Sequence, residues 1–185
     1  MGSDWRKYKN PGFDNYTIFS LWDTYRAAHP LFTIIDPKRT ADFVNSLLAV
    51  YEQTGQLPIW HLRGYDTGTM VGINSLQVIA EAYLKGNKGF NAEKAYQALK
   101  DVAMSDVRGM DFDRSFKPIP SDVMKNRPVA TALEYGIGTA SIAMMAKAMG
   151  KVEDYNYFSK RARNYRLYYD CLLYTSPSPR DKRQS

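Results

Sequence analysis

The stretch Thr69-Met-Val-Gly-Ile-Asn-Ser-Leu-Gln-Val-Ile-Ala-Glu-Ala-Tyr-Leu-Lys85 has no wettable face when wound at 3.6 residues per turn. Met70, Val71, Ile73, Leu76, Val78, Ile79 and Tyr83 point apolar groups in nearly every direction, and Gly86 supplies the stop. A helix of this kind has to be surrounded by protein. The stretch Val129–Met149 reads the same way, with Leu133, Ile137, Ile142, Met144, Met145 and Met149 distributed around the axis. The segments around these two are different. Ala92–Ser105 sets Ala95, Tyr96, Leu99, Val102 and Ala103 against Glu93, Lys94, Lys100 and Asp101. Asp36-Pro37 opens a helix with an N-cap acid and a first-position proline; Phe43, Val44, Leu47, Leu48 and Tyr51 form its dry stripe, and Gly55 closes it. A last helix carries Tyr155, Phe158, Ala162, Tyr165 and Tyr169 opposite Lys160, Arg161, Arg163 and Arg166, a run expected to be a solvated face. A first helix is expected over Thr17–Ala28, and a long polar loop over Asp106–Arg127.

Inner and outer helices taking turns describe an all-α double layer of hairpins, as in an α/α toroid or an α-solenoid. No repeat of about 34 or 40 residues is present, which favours the toroid. The expectation is a partial (α/α)6 toroid of about six helices, with no strands and about half of the helices a closed ring needs.

Composition supports a folded domain: 185 residues, 44% hydrophobic and 24% charged. No uninterrupted apolar run approaches the roughly 18 residues a membrane span requires, and Met1–Asn10 does not read as a signal peptide. The net charge of +6 raises the question of nucleic acid. Part of that charge lies in the last residues, Cys171–Ser185, CLLYTSPSPRDKRQS. Cys171–Asp181 resembles the translation of a sequencing-library adapter, so 171–185 is expected to be a non-native, disordered tail. Without Arg180, Lys182, Arg183 and Asp181, the 25 basic and 19 acidic residues become 22 and 18, a net of +4. No second basic surface accompanies the Lys160–Arg166 run, so no nucleic-acid partner is expected. Cys171 is the one cysteine, so no disulfide framework or Cys-based metal site is available.

Two loop clusters carry candidate chemistry. The first contains Trp22, Asp23, Arg26 and His29. An indole face suits the C–H side of a sugar ring, and a neighbouring carboxylate and guanidinium suit its hydroxyls. The competing reading makes Trp22 core and Asp23–Arg26 a surface ion pair at i,i+3. The second cluster contains Trp60, His61, Gly64, Asp66, Thr67 and Gly68, ahead of an apolar inner helix, where it would line the mouth of the enclosed cavity. Its competing reading is an N-cap loop with Thr67 or Thr69 as the cap. Glu134 stands on an otherwise dry helix, as hydrogen-bonded structure or as a cavity carboxylate. His29 and His61 are too few for a three-histidine metal site and are expected to be structural. Phosphate-loop, dinucleotide, zinc-protease and serine-elbow motifs do not occur.

Taken together, Tyr16-Thr-Ile-Phe-Ser-Leu-Trp22-Asp23-Thr-Tyr-Arg26, His29-Pro-Leu and Leu57-Pro-x-Trp60-x-x-x-Gly64-Tyr-Asp66-Thr-Gly-x-Met-Val-Gly72 resemble glycoside hydrolase family 92. The resemblance continues through Val78–Gly86, Leu133-Glu134-Tyr135 and Asp154-Tyr155, and spans roughly 15–170. It implies calcium-dependent, inverting exo-α-mannosidases, often exported, with an N-terminal β-sandwich before an (α/α)6 toroid. It also implies that Trp22, Asp23, Arg26, Trp60, Gly64, Asp66 and Thr67 line a mannose subsite for mannose-containing glycans. Asp66 replaces the family's usual Glu, Asn74 its usual His, and Gly136-Ile-Gly-Thr-Ala140 its Ala-Tyr-Asp-Asp-Trp.

An inverting glycosidase sets a general acid and a general base roughly 6.5–9.5 Å apart. The Glu-Gly-Asn motif of the family's acid does not occur in this chain. The resemblance therefore implies residues 1–170 as the N-terminal half of a toroid, inactive alone, with the acid, base and calcium ligands, the C-terminal half of the toroid and the β-sandwich elsewhere. The rival expectation is a non-catalytic helical interaction module in which Trp22 and Trp60 are core.

Overall fold

The computed structural model describes residues 4, 6–8, 12–62 and 65–169. The elements run β1 (Phe19–Ser20), α1 (Leu21–Thr24), α2 (Ala28–Ile35), α3 (Pro37–Thr54), β2 (Trp60–Leu62), β3 (Tyr65–Asp66), α4 (Ser75–Leu84), α5 (Ala92–Ala103), α6 (Met110–Arg114), α7 (Pro128–Ala148) and α8 (Val152–Arg161). Short 3-10 turns occupy Val107–Gly109 and Ala162–Tyr168.

Local signals set α3. Asp36 accepts the N–H of Arg39 at 3.1 Å, Pro37 fills the first turn, and Gly55 ends the helix in the left-handed region at φ 72°. Asn91 caps α5 in the same way through the N–H of Lys94. α4 and α7 form the inner layer and pack directly on each other; α3, α5 and α8 lie outside them. The alternation expected from the sequence is the architecture observed. Leu76, Ile79, Ala80 and Ala82 of α4 meet Tyr135, Ile142, Met145 and Ala146 of α7 in one core with Val44, Leu47, Leu99, Val102 and Phe158. Burial of this contiguous apolar set is the main drive for the double layer.

α7 is long and apolar enough to cross a membrane by length and composition. Its apolar side chains have a different use here, since Ile142, Met145 and Ala146 are fully buried against α4 and α8. One face stays uncovered among the described residues: Val129, Leu133, Ile137 and Met144 are exposed.

Several expectations change. The helix expected over Thr17–Ala28 is a strand, one helical turn and then α2. Ile18 sits at φ 67°, a conformation that stops helix propagation and is unusual for a β-branched residue. Its N–H donates to His61 O instead, at 3.1 Å. The expected absence of strands gives way to a small antiparallel sheet, ordered β1-β2-β3, with Phe19 opposite His61 and Ser20 opposite Trp60. The inner helix begins at Ser75 rather than Thr69, its N-cap Asn74 makes no side-chain cap, and Thr67 and Thr69 play no capping part. The long polar loop holds α6.

The basic run 160–166 is not a uniformly solvated face. Arg161 is fully buried: Nε donates to Asp113 Oδ2 at 2.6 Å and Nη1 to Ala103 O at 2.6 Å. Asn164 Nδ2 donates to Asp113 Oδ1 at 2.8 Å and completes the network. A buried cation is tolerated when paired and hydrogen-bonded in this way, and Asp113 supplies both conditions.

Candidate active-site face

The small sheet joins the two motif clusters. Ser20 lies two residues before Trp22, and its register partner is Trp60; His61 pairs in turn with Asp66. Segments some 40 residues apart in sequence therefore form one surface at the edge of the inner helices.

Glu134 lies against the first of the two clusters, 9% exposed. Oε1 accepts from Trp22 Nε1 at 3.0 Å and from Arg26 Nη2 at 2.9 Å; Oε2 accepts from Asn74 Nδ2 at 3.0 Å and from the Tyr25 hydroxyl at 3.2 Å. A carboxylate offers about four lone-pair sites, and all four are used. Burial, then the Glu134 charge, pushes the Tyr25 phenol above its ordinary pKa, so it remains a donor. Gly72 permits this packing: at φ 77°, a Cβ there would lie 2.6 Å from Glu134 Cβ.

The Arg26 guanidinium carbon lies 4.4 Å from the Trp22 ring centroid and 4.7 Å from that of Tyr25, and Nε donates to Trp22 O. Arg26 therefore pairs with Glu134 across the fold and not with Asp23. Asp23 is exposed and accepts the Ser20 hydroxyl at 2.5 Å. Trp22 is half-buried, with its indole N–H committed to Glu134 and one ring face under the guanidinium. Of the two readings of Glu134, hydrogen-bonded structure is the one observed.

In the second cluster, Asp66 Oδ1 accepts backbone N–H groups from Trp60 at 2.8 Å and from Ile59 and Gly68 at 3.3 Å each. The Thr67 hydroxyl donates to Trp60 O at 3.0 Å. These bonds set the turn and hold half-buried Trp60 beside Ser20. Gly64 lies outside the described residues.

Two arginines of the long loop fasten the next stretch, a feature that sequence reasoning missed. Arg108 donates to Gly68 O and Met70 O, and Arg127 to Thr69 O, each from a backbone of positive φ. The strained backbone of both residues is stabilised by these long-range bonds.

Both histidines are buried. His29 packs edge-on against Phe19, Phe32 and Phe43, and burial lowers its pKa to about 4. His61 Nε2 shares a hydrogen bond with Tyr16 O at 2.9 Å, and burial lowers its pKa as well. An open groove of about 340 Å3 between Pro37–Asp42 and Gly86–Gly89 shares none of the candidate residues.

No group of three or more His, Cys, Asp or Glu among the described residues could hold a metal ion. Glu134 has its lone pairs filled by donors, one of them cationic, which does not suit calcium.

The chain is a mostly helical double layer with a small sheet, and tryptophan, carboxylate and guanidinium groups meet at its edge. The model of the glycosyl hydrolase family 92 catalytic domain matches residues 2–183, and the chain belongs to that family. An α-mannosidase of the family from Bacteroides thetaiotaomicron superposes with a TM-score of 0.85 at 41% identity, both alone and in complex with mannoimidazole. An inverting mannosidase of the family from the same organism superposes with a TM-score of 0.74 at 31% identity. These matches cover 89% and 84% of this chain, which spans 22% of the length of each. The catalytic domain of the family is an α/α toroid, in agreement with the layering observed. No curated protein matches the chain.

Proposed function

We propose that this chain is part of the catalytic domain of an α-mannosidase that removes terminal α-linked mannose from glycans with inversion. The observation that carries the reading is Trp22 and Arg26 held on Glu134 beside the exposed Asp23, in a chain 41% identical over 89% of its length to a mannosidase solved with mannoimidazole. On this reading the residues of the face have separate roles. The uncovered face of Trp22 stacks on the sugar ring. The Asp23 carboxylate accepts from ring hydroxyls, and Arg26 donates through the N–H groups that Glu134 leaves over. Trp60, Gly64, Asp66 and Thr67 form the second wall of the same subsite.

Residues 1–170 would then be one half of a toroid, with 171–185 an adapter-derived addition. The other half and a β-sandwich would complete the enzyme. The acid and base would come from those parts, because the Glu134 carboxylate is taken up by four donors and the Glu-Gly-Asn motif does not occur in this chain. Calcium, which the family resemblance implies for the whole enzyme, has no ligand set among the described residues.

The test is release of mannose from an α-mannoside. The whole enzyme containing this segment turns over, and the purified 185-residue chain does not. Turnover by the chain alone would overturn the assignment of the acid and base to other parts.

A further inference from the structure

We propose that Glu134 is the positioning residue of this face: its carboxylate, and not the packing around the indole, sets the orientation of Trp22 and Arg26. The inference rests on the sugar-site reading for its purpose, though not for its geometry.

Three observations support it. The first is reach. The donors come from α1 and the residues that end it (Trp22, Tyr25, Arg26) and from the approach to α4 (Asn74), so one side chain of α7 ties two distant segments of backbone to the inner layer. The second is chemistry. Each bond ends on a carboxylate that is itself nearly buried, and charge-assisted bonds are stronger than neutral ones. An ionised carboxylate there would carry a large desolvation cost without its donors, and Arg26 supplies the countercharge at 2.9 Å. The third is space. Gly72 brings the loop so close to the Glu134 stem that a Cβ there would lie 2.6 Å from Glu134 Cβ, so the loop carrying Asn74 packs directly on this side chain.

The arrangement has a consequence for recognition. The Trp22 N–H is consumed by Glu134 and one ring face is covered by Arg26, so a ligand meets Trp22 only through the opposite face. Glu134 acts through these residues. It is a positioning residue and not a catalytic one.

The experiment is hydrogen exchange at the indole N–H of Trp22 in the 15N-labelled chain, with Trp22→Phe to assign the signal. In wild type the N–H exchanges slowly. In Glu134→Gln it exchanges about tenfold faster, the expected loss when a charged acceptor becomes neutral, and its resonance moves while the Trp60 signal stays. Exchange within about twofold of wild type in folded Glu134→Gln would overturn the proposal. Should Glu134→Gln fail to fold, Arg26→Met decides: protection of Trp22 is retained if the carboxylate holds the ring, and its loss would overturn the proposal. The sugar reading is tested apart from this, by turnover of Asp23→Ala, so either can fail alone.

Discussion

Trp22 and Glu134 are 112 residues apart in the chain and joined by a hydrogen bond of 3.0 Å from the indole N–H to the carboxylate. That bond links the edge of the domain to the inner helix layer. It also turns a tryptophan that could have been core into part of an oriented surface.

Gly72→Ala is expected to disturb this link without touching any ligand. The added Cβ would sit 2.6 Å from Glu134 Cβ, in a backbone conformation that alanine disfavours. Positive φ and overpacking together predict a loss of about 2–4 kcal/mol, measured by urea denaturation. A variant as stable as wild type would show that the loop moves aside freely.

The Arg161–Asp113 pair is expected to matter more than any surface pair. Asp113→Ala leaves a buried guanidinium without its counterion and predicts a loss of about 3–5 kcal/mol. Lys94→Ala, which breaks the exposed pair with Glu52, predicts under about 1 kcal/mol. Chemical denaturation of the two variants side by side checks the contrast.

Acid is expected to destabilise the fold through His29. Its pKa is about 4 when folded against an ordinary 6.5, because burial among Phe19, Phe32 and Phe43 penalises the cation. Above pH 6.5 the ring is neutral in both states and the full stability is present. As pH falls toward 4, only the unfolded chain takes up the proton, and about 3 kcal/mol is lost at the low end. His61 shifts in the same direction. Melting temperature against pH between 7.5 and 4.5 measures this, and His29→Leu should flatten the curve.

The uncovered stripe Val129, Leu133, Ile137 and Met144, together with exposed Leu31, Ile34 and Ile35, predicts concentration-dependent association of the chain. Sedimentation velocity across a concentration series should show it, and Leu133→Glu with Ile137→Lys should reduce it. A clean monomer at every concentration would contradict the expectation.

The parts of this fold that were legible were those written in local signals. Asp36-Pro37 and Gly55 bound α3 because cap, proline and left-handed glycine act within one turn of the helix they limit. The wetness pattern separated α4 and α7 from α3 and α5 because burial acts on every residue of a helix at once. The β1-β2-β3 sheet was not legible, since strands of two or three residues are too short to show alternation. α2 was missed because His29-Pro30 resembles a loop, although proline is accepted in a first turn. Arg161 looked wet because periodicity assigns cations to solvent, whereas its partner Asp113 lies 48 residues earlier. The candidate residues themselves were named from motifs. What joins them, Glu134 under Trp22 and Arg26, is a long-range contact that no spacing encodes.

The most direct test is the turnover of an α-mannoside by the whole enzyme carrying Asp23→Ala. Asp23 is exposed, with a single short-range bond to Ser20, so the fold should melt within about 1 kcal/mol of wild type. If Asp23 lines the sugar subsite, kcat/KM falls about 100-fold or more, since a positioned carboxylate is lost from the bound sugar. Turnover within about twofold of wild type would contradict the account and leave Trp22, Asp23 and Arg26 as structure alone.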